Sequence, residues 1–221
     1  FCGEDKKVIA VTSCTPNEGK STVSLNLALS LADSGKKVLF IDADLRKSVL
    51  MGRTEVEGEE IKGLSHLLSH QETIENVICA TNVPRFHIIY AGIVPPNPAE
   101  LLGGKYFKRF LSAIRKVYDY VIIDTAPVGL VADTLQLSKL ADRTLFVCRA
   151  DFSTKSSFTY INKLDEQKKL PNISIVINDI DLSKKKFAYS YGFGKYSKNG
   201  NRSFGSYGLF SNNTNDDSIK I

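Results

Sequence analysis

The sequence predicts an α/β protein built on a doubly wound, mostly parallel β-sheet. Short all-apolar runs recur along the chain, too continuous for strands with one wet face. Segments of helical periodicity alternate with them, as crossovers between parallel strands require, and those crossovers are expected to be right-handed. The first run breaks into a Gly-bearing loop that restarts as a helix, and two later runs end in Asp. The carboxyl ends of such strands are where open α/β sheets bind ligands.

Length and composition set the bounds. The chain has 221 residues, 43% hydrophobic and 24% charged, enough for one large α/β domain or two small ones and ordinary for a soluble globular protein. No apolar run approaches the roughly 20 residues of a membrane span. The opening FCGEDKK lacks the apolar stretch of a signal peptide. It runs almost directly into the first strand, so residues that normally precede such a domain are expected to be missing. Cys2, Cys14, Cys79 and Cys148 form no CxxC pair, which fits a reducing cytoplasm better than zinc or a disulfide framework.

The first strand, loop and helix fill Val8 to Asn26, VIAVTSCTPNEGKSTVSLN. Val8 to Val11 read as a buried strand, Thr15, Pro16, Asn17 and Gly19 as a loop, and Lys20-Ser21-Thr22 as a helix start, the context of a phosphate-binding loop. Gly19 lets the backbone approach an anion, and the first helical amides point outward with the positive end of the dipole. In that role Lys20 reaches the β- and γ-phosphates and the Ser21 hydroxyl completes the shell of a Mg²⁺ ion. The usual GxxxxGK[ST] pattern has Gly where this chain has Cys14, read here as a small residue tolerated in its place. Leu25, Leu27, Ala28 and Leu31 carry the helix to about Ala32, and Ser34-Gly35 ends it.

The second strand, VLFID, suits the centre of a covered sheet. It stops at Asp42-Ala43-Asp44-Leu45-Arg46, two carboxylates at the sheet edge that carries the phosphate loop. Next to such a loop, a metal and base role outweighs simple helix capping. Val49 to Glu60 is polar and reads as a mobile loop, and Gly63 to Ser69 as a short helix. His66 and His70 are spaced i, i+4, yet without a HExxH glutamate or third ligand they are expected to be surface residues. Phe86 to Tyr90 is a strand, and the Pro-rich GIVPPNPAELL is a stiff turn starting a helix near Ala99. Tyr106 to Val117 is amphipathic, with Phe107, Phe110, Leu111 and Ile114 on one face. Tyr118 to Pro127, YDYVIIDTAP, holds a strand ending in Asp124, an acid of the kind that holds Mg²⁺ in phosphate-loop proteins. A helix (Asp133 to Leu140), a strand (Thr144 to Cys148), a helix (Ser156 to Lys168) and a strand (Ile173 to Asn178) complete a domain expected to span residues 1–182.

From Ser183 the texture changes to KKKFAYSYGFGKYSKNGNRSFGSYGLFSNNTNDDSIKI, rich in Gly, Ser, Asn and Tyr and without periodicity. Residues 183–221 are expected to be a disordered tail. Seven Lys or Arg face two Asp there, so the whole net charge of +5 belongs to the tail and the body is neutral. Any nucleic-acid or membrane role would belong to the tail.

TPNEGKST, FIDADLR and VIIDTAP, in this order and with a Tyr-rich end and PPNPAELL, resemble the bacterial tyrosine kinases (BY-kinases) of the capsule and exopolysaccharide pathways. The resemblance covers nearly the whole chain. Each motif alone is shared with the wider group of deviant phosphate-loop ATPases. The resemblance implies a P-loop NTPase-like fold and autophosphorylation of tail tyrosines with ATP and Mg²⁺. Asn17, Glu18, Gly19, Lys20, Ser21, Thr22 and, for adenine, Asn178 would bind the nucleotide. Lys20, Asp42 and Asp44 would be catalytic, with Asp42 orienting or deprotonating the incoming tyrosine. Ser21, Asp44 and Asp124 would organise the metal, and Tyr189, Tyr191, Tyr196 and Tyr207 would accept phosphate. It further implies trans-phosphorylation in ring-like homo-oligomers, a separate transmembrane activator, and other polysaccharide-pathway proteins as substrates, without nucleic acid. The protein would be cytoplasmic, recruited to the inner face of the membrane. Each phosphate adds about −1.5 to −2 charges, so four would turn the tail net negative and weaken its docking and self-association. The resemblance also implies an acid-and-arginine assembly helix before the first strand; this sequence is expected to begin after it, which leaves self-association of these residues an open expectation. The alternative is a ParA/MinD-type ATPase switch, in which ATP drives dimerisation and no protein is phosphorylated. That group has a signature lysine where this chain has Thr15, which favours the kinase.

Overall fold

Apolar side chains at consecutive strand positions need cover on both faces of a sheet. The structure, a computed structural model that describes residues 7–48, 50, 61–131 and 133–181, supplies it. One seven-stranded sheet is formed by β1 (Val8–Ser13), β2 (Val38–Asp42), β3 (Cys79–Ala80), β4 (Phe86–Ile89), β5 (Tyr120–Asp124), β6 (Arg143–Arg149) and β7 (Ile173–Asn178). Its order is β3-β4-β2-β5-β1-β6-β7, and every pairing is parallel except that of β3 with β4. The helices are α1 (Lys20–Asp33), α2 (Leu64–Leu68), α3 (Ile74–Val77), α4 (Pro98–Gly103), α5 (Lys105–Ile114), α6 (Asp133–Ser138) and α7 (Lys155–Glu166). This is the doubly wound, mostly parallel architecture that the apolar runs predict. Chain contacts group the described residues through Asp179 as one unit. The expected tail lies outside the described residues, as does all of the expected Val49–Glu60 loop except Leu50.

The period of two along each strand sorts the core. Val8 and Ala10, Leu39 and Ile41, and Val121 and Ile123 face a layer holding Phe107, Phe110, Leu111 and Ile114 of α5. Ile9 and Val11, Val38 and Phe40, and Ile122 face the opposite layer with Ala28 and Ala32 of α1. A smaller cluster of Phe146, Cys148, Ile161, Leu164 and Leu170 seats α7. Phe107 is 0% exposed, so Phe107→Ala should cost about 3–5 kcal/mol. Urea unfolding would show this as a lower midpoint at unchanged slope.

Helix ends shift where the last turn tightens. α6 stops at Ser138, short of Leu140, because the Leu140 and Ala141 amides donate three residues back to the Leu137 and Ser138 carbonyls, at 2.9 and 3.1 Å. α7 closes on Lys168, which takes a left-handed φ of 49° while the Lys169 amide donates to the Leu164 carbonyl, a Schellman-type ending. Four-residue α3 and two-residue β3 are too short to leave a periodic signal.

One expectation fails. His66 is buried, not a surface residue. α2 is buried along its whole length, docked by the Leu64 and Ser65 amides donating to the Tyr90 and Ala91 carbonyls at 2.7 and 2.9 Å. The His66 Nδ1 accepts the Gly63 amide at 3.2 Å, inside that junction. His70 is exposed and packs edge-on against Tyr106. No helix among the described residues is long and apolar enough to cross a membrane.

Candidate active site

Parallel pairing gathers the carboxyl ends of β1, β2, β5, β6 and β7 at one sheet edge. Chain order reverses around β1 and β5, the switch point where open sheets form a crevice. Asp42 and Asp124, the last residues of β2 and β5, sit directly opposite each other in register. The acids of the second and third motifs therefore meet in one place beside the loop after β1.

That loop is held from inside. Asn17 and Gly19 adopt left-handed backbone at φ 65° and 88°, which at position 19 favours glycine. A Cβ on Gly19 would also stand 2.0 Å from Asn178 Nδ2. Glu18 is fully buried. Its carboxylate accepts the Thr15 amide at 2.8 Å and the Ser153 hydroxyl, so it braces the loop instead of facing outward. Asn178, the other nucleotide candidate, donates Nδ2 to the Glu18 carbonyl at 3.1 Å. Arg149 is pinned by Asp179 at 2.8 Å and donates to the Asn17 carbonyl at 3.2 Å.

Lys20 opens α1, largely buried, with its ammonium 3.6 Å from Asp44 Oδ2 and 3.4 Å from Ser21 Oγ. Asp42 is 1% exposed and Asp124 is 2% exposed. Burial, then the neighbouring Asp124 charge, pushes the Asp42 carboxyl up to about 7, against the Ser48 hydroxyl and Asp44 amide that favour its ionised form. Burial likewise pushes Asp124 up to about 6, with the Lys20 charge pulling it back. Ser48 Oγ donates to Asp42 Oδ2 at 2.6 Å, and the Asp44 amide donates to Asp42 Oδ1 at 3.3 Å. Arg46 ties the motif to α6 through Asp133 at 2.6 Å.

Lys20, Asp42, Asp44 and Asp124 are thus brought together at one edge, with Ser21 beside them. Thr22 is exposed one residue further along α1. Tyr189, Tyr191, Tyr196 and Tyr207 lie outside the described residues. Ser48, Ser153, Arg149 and Gly129 are contributors that sequence reading passes over. A Cβ on Gly129 would meet the Cys14 carbonyl at 2.2 Å, so that glycine lets the loop after β5 lie against the phosphate loop.

The donor set fits a hard divalent cation. Asp124 Oδ1 is buried without a hydrogen-bond partner, a costly state unless something else satisfies it. Carboxylate and hydroxyl oxygens are the ligands Mg²⁺ prefers.

Comparison with known proteins agrees with this geometry. A family model described as an AAA domain matches residues 6–177. Tyrosine-protein kinase CpsD of Streptococcus agalactiae is 40% identical over 202 residues, covering 90% of this chain and 85% of that protein. The kinase domain of the Escherichia coli tyrosine kinase ETK superposes with a TM-score of 0.74 at 33% identity, over 81% of this chain and 69% of that one. The cell division ATPase MinD of Pyrococcus furiosus gives 0.63 at 22% identity, over 77% and 71%, a likeness of fold. With a nucleotide-binding P-loop fold and kinase relatives along most of its length, the chain belongs to the bacterial tyrosine-protein kinases.

Proposed function

We propose that this kinase transfers the γ-phosphoryl group of ATP to Tyr189, Tyr191, Tyr196 and Tyr207 of a neighbouring copy, and so regulates capsular or exopolysaccharide production. The observation that carries this reading is the buried Asp42, in register with Asp124 and on the same sheet edge as Lys20. Phosphoryl transfer asks for charge neutralisation and an in-line nucleophile more than for covalent help.

Each group then has a task. The loop amides and Lys20 hold the phosphates, Lys20 exchanging its Asp44 contact for the nucleotide. Asp42 accepts the tyrosine proton as the phenolic oxygen bonds to the γ-phosphorus and the bond to the bridging oxygen breaks, leaving ADP. A usual pKa of ~10 keeps the tyrosine hydroxyl protonated and poorly nucleophilic at neutral pH, so a carboxylate within hydrogen-bond reach serves as its base. Ser21, Asp44 and Asp124 would hold Mg²⁺, which when bound neutralises developing charge on the phosphate oxygens. Residues 1–182 form the catalytic domain, and the basic residues 183–221 deliver the acceptors. Ring-like self-association and a membrane-spanning activator would keep the kinase at the inner face of the membrane, with further polysaccharide-pathway proteins as substrates.

Ser48 orients Asp42 in this scheme. A hydrogen bond to a charged group contributes about 1.5–3 kcal/mol. Ser48→Ala should therefore slow tyrosine phosphorylation about ten- to a hundredfold at unchanged ATP affinity, while Ser48→Thr retains most of the rate. Stopped-time assays with saturating Mg-ATP check this.

Peptide mapping after incubation with Mg-ATP, with and without the cytoplasmic segment of a membrane-spanning partner, tests the function itself. Phosphate on the tail tyrosines supports it. ATP turnover with every tyrosine unmodified would assign the chain to the dimerising ATPase switches instead.

A further inference from the structure

We propose that the exposed face of α5 is a docking surface for an anionic lipid membrane. Residues 105–116 carry five cations, Lys105, Lys108, Arg109, Arg115 and Lys116, and no acid. Phe107, Phe110, Leu111 and Ile114 take the buried side of the helix, so its periodicity drives the charges outward together. Arg115 is engaged by Asp142 at 2.9 Å and by the Leu140 carbonyl. Lys105, Lys108, Arg109 and Lys116 are exposed, and their side chains make no ion pair or hydrogen bond among the described residues. With Ser112 and Ala113 they line one open concavity, a stripe about 16 Å long at the helical rise.

Charge placement gives this stripe its meaning. Residues 1–182 are neutral as a whole, so outside residues 105–116 they carry five net negative charges. Like charges three and four apart on a helix repel and cost stability. A face with no partner is better served by mixed signs. Concentrating one sign here therefore points to an anionic partner. Three of the four free cations are lysines, point charges without the arginine fork that reads single carboxylates. Apart from Val117 at its end, 55% exposed, no large apolar side chain stands along the stripe to anchor a protein. A diffuse layer of negative headgroups is the complement that fits. This surface is separate from the Lys20 site, so it stands or falls independently of the kinase reading.

Vesicle co-sedimentation of the full chain tests it, using mixed phosphatidylglycerol and phosphatidylcholine against phosphatidylcholine alone. The variants are Lys105→Gln/Lys108→Gln/Arg109→Gln/Lys116→Gln on α5 and Lys184→Gln/Lys185→Gln/Lys186→Gln/Lys195→Gln in the tail. Each cation near an anionic surface contributes about fivefold in affinity, so the α5 variant should bind anionic vesicles on the order of a hundredfold or more weaker. Its phosphotyrosine yield in vesicle-free solution should be unchanged, and Lys105→Arg/Lys108→Arg/Lys116→Arg should bind as the parent does. Equal binding by the α5 variant and the parent, or loss confined to the tail variant, would overturn the proposal. So would a parent chain that binds polyglutamate but not the vesicles, because that marks an acidic protein as the partner.

Discussion

Lys20→Met is expected to lower tyrosine phosphorylation about a thousandfold or more. Removing one preorganised charge-stabilising donor typically costs 10²–10³ in rate. Here the loss is compounded, because the same ammonium lies 3.6 Å from Asp44 and holds down the Asp124 carboxyl. Without it, three buried acids at the ends of β2 and β5 face incoming phosphates with no cation from the first turn of α1, and nucleotide affinity should fall as well. Quantitative mass spectrometry of the tail peptides measures the rate, and titration with a fluorescent ATP analogue measures the affinity. A variant with near-normal phosphotyrosine would remove Lys20 from the chemistry.

Asp42→Asn is expected to separate chemistry from binding. Asn has the shape of Asp and can still accept the Ser48 hydroxyl, but it cannot take the tyrosine proton. The phosphorylation rate should fall about 10²–10⁴-fold while ATP affinity stays within a few-fold of the parent. Stability should move the other way. Asp42 and Asp124 are like charges buried side by side, and a neutral isostere at one of them removes repulsion and desolvation cost. Ligand-free Asp42→Asn should therefore melt above the parent in calorimetry. A variant that lost activity and also melted lower would point to damaged structure, not to a missing base.

The residues legible in the sequence are those whose role is written locally. A glycine before Lys-Ser-Thr, or an aspartate closing an apolar run, keeps its meaning wherever the strand lies, and parallel pairing alone brings Asp42 and Asp124 together. Contacts between distant segments leave no such mark. Glu18 reads as part of a nucleotide cradle, and nothing in the sequence announces that its carboxylate bonds to Ser153, 135 positions away. Asn178 reads as an adenine contact and is bonded to the Glu18 carbonyl across 160 positions. Ser48 looks like an ordinary loop serine until the fold sets it on Asp42. His66 misleads because a polar residue in a short helix is usually exposed, and only the docking of α2 onto the β4 end buries it.

The most direct measurement mixes two copies of the protein. One carries Lys20→Met with its tyrosines intact, and the other is active but carries Tyr189→Phe, Tyr191→Phe, Tyr196→Phe and Tyr207→Phe. With Mg-ATP, phosphate should appear on Tyr189, Tyr191, Tyr196 or Tyr207 of the Lys20→Met copy, and only when the active copy is present. ATP consumed by the active copy while those tyrosines stay bare would contradict the transfer of phosphate to the tail of a neighbour.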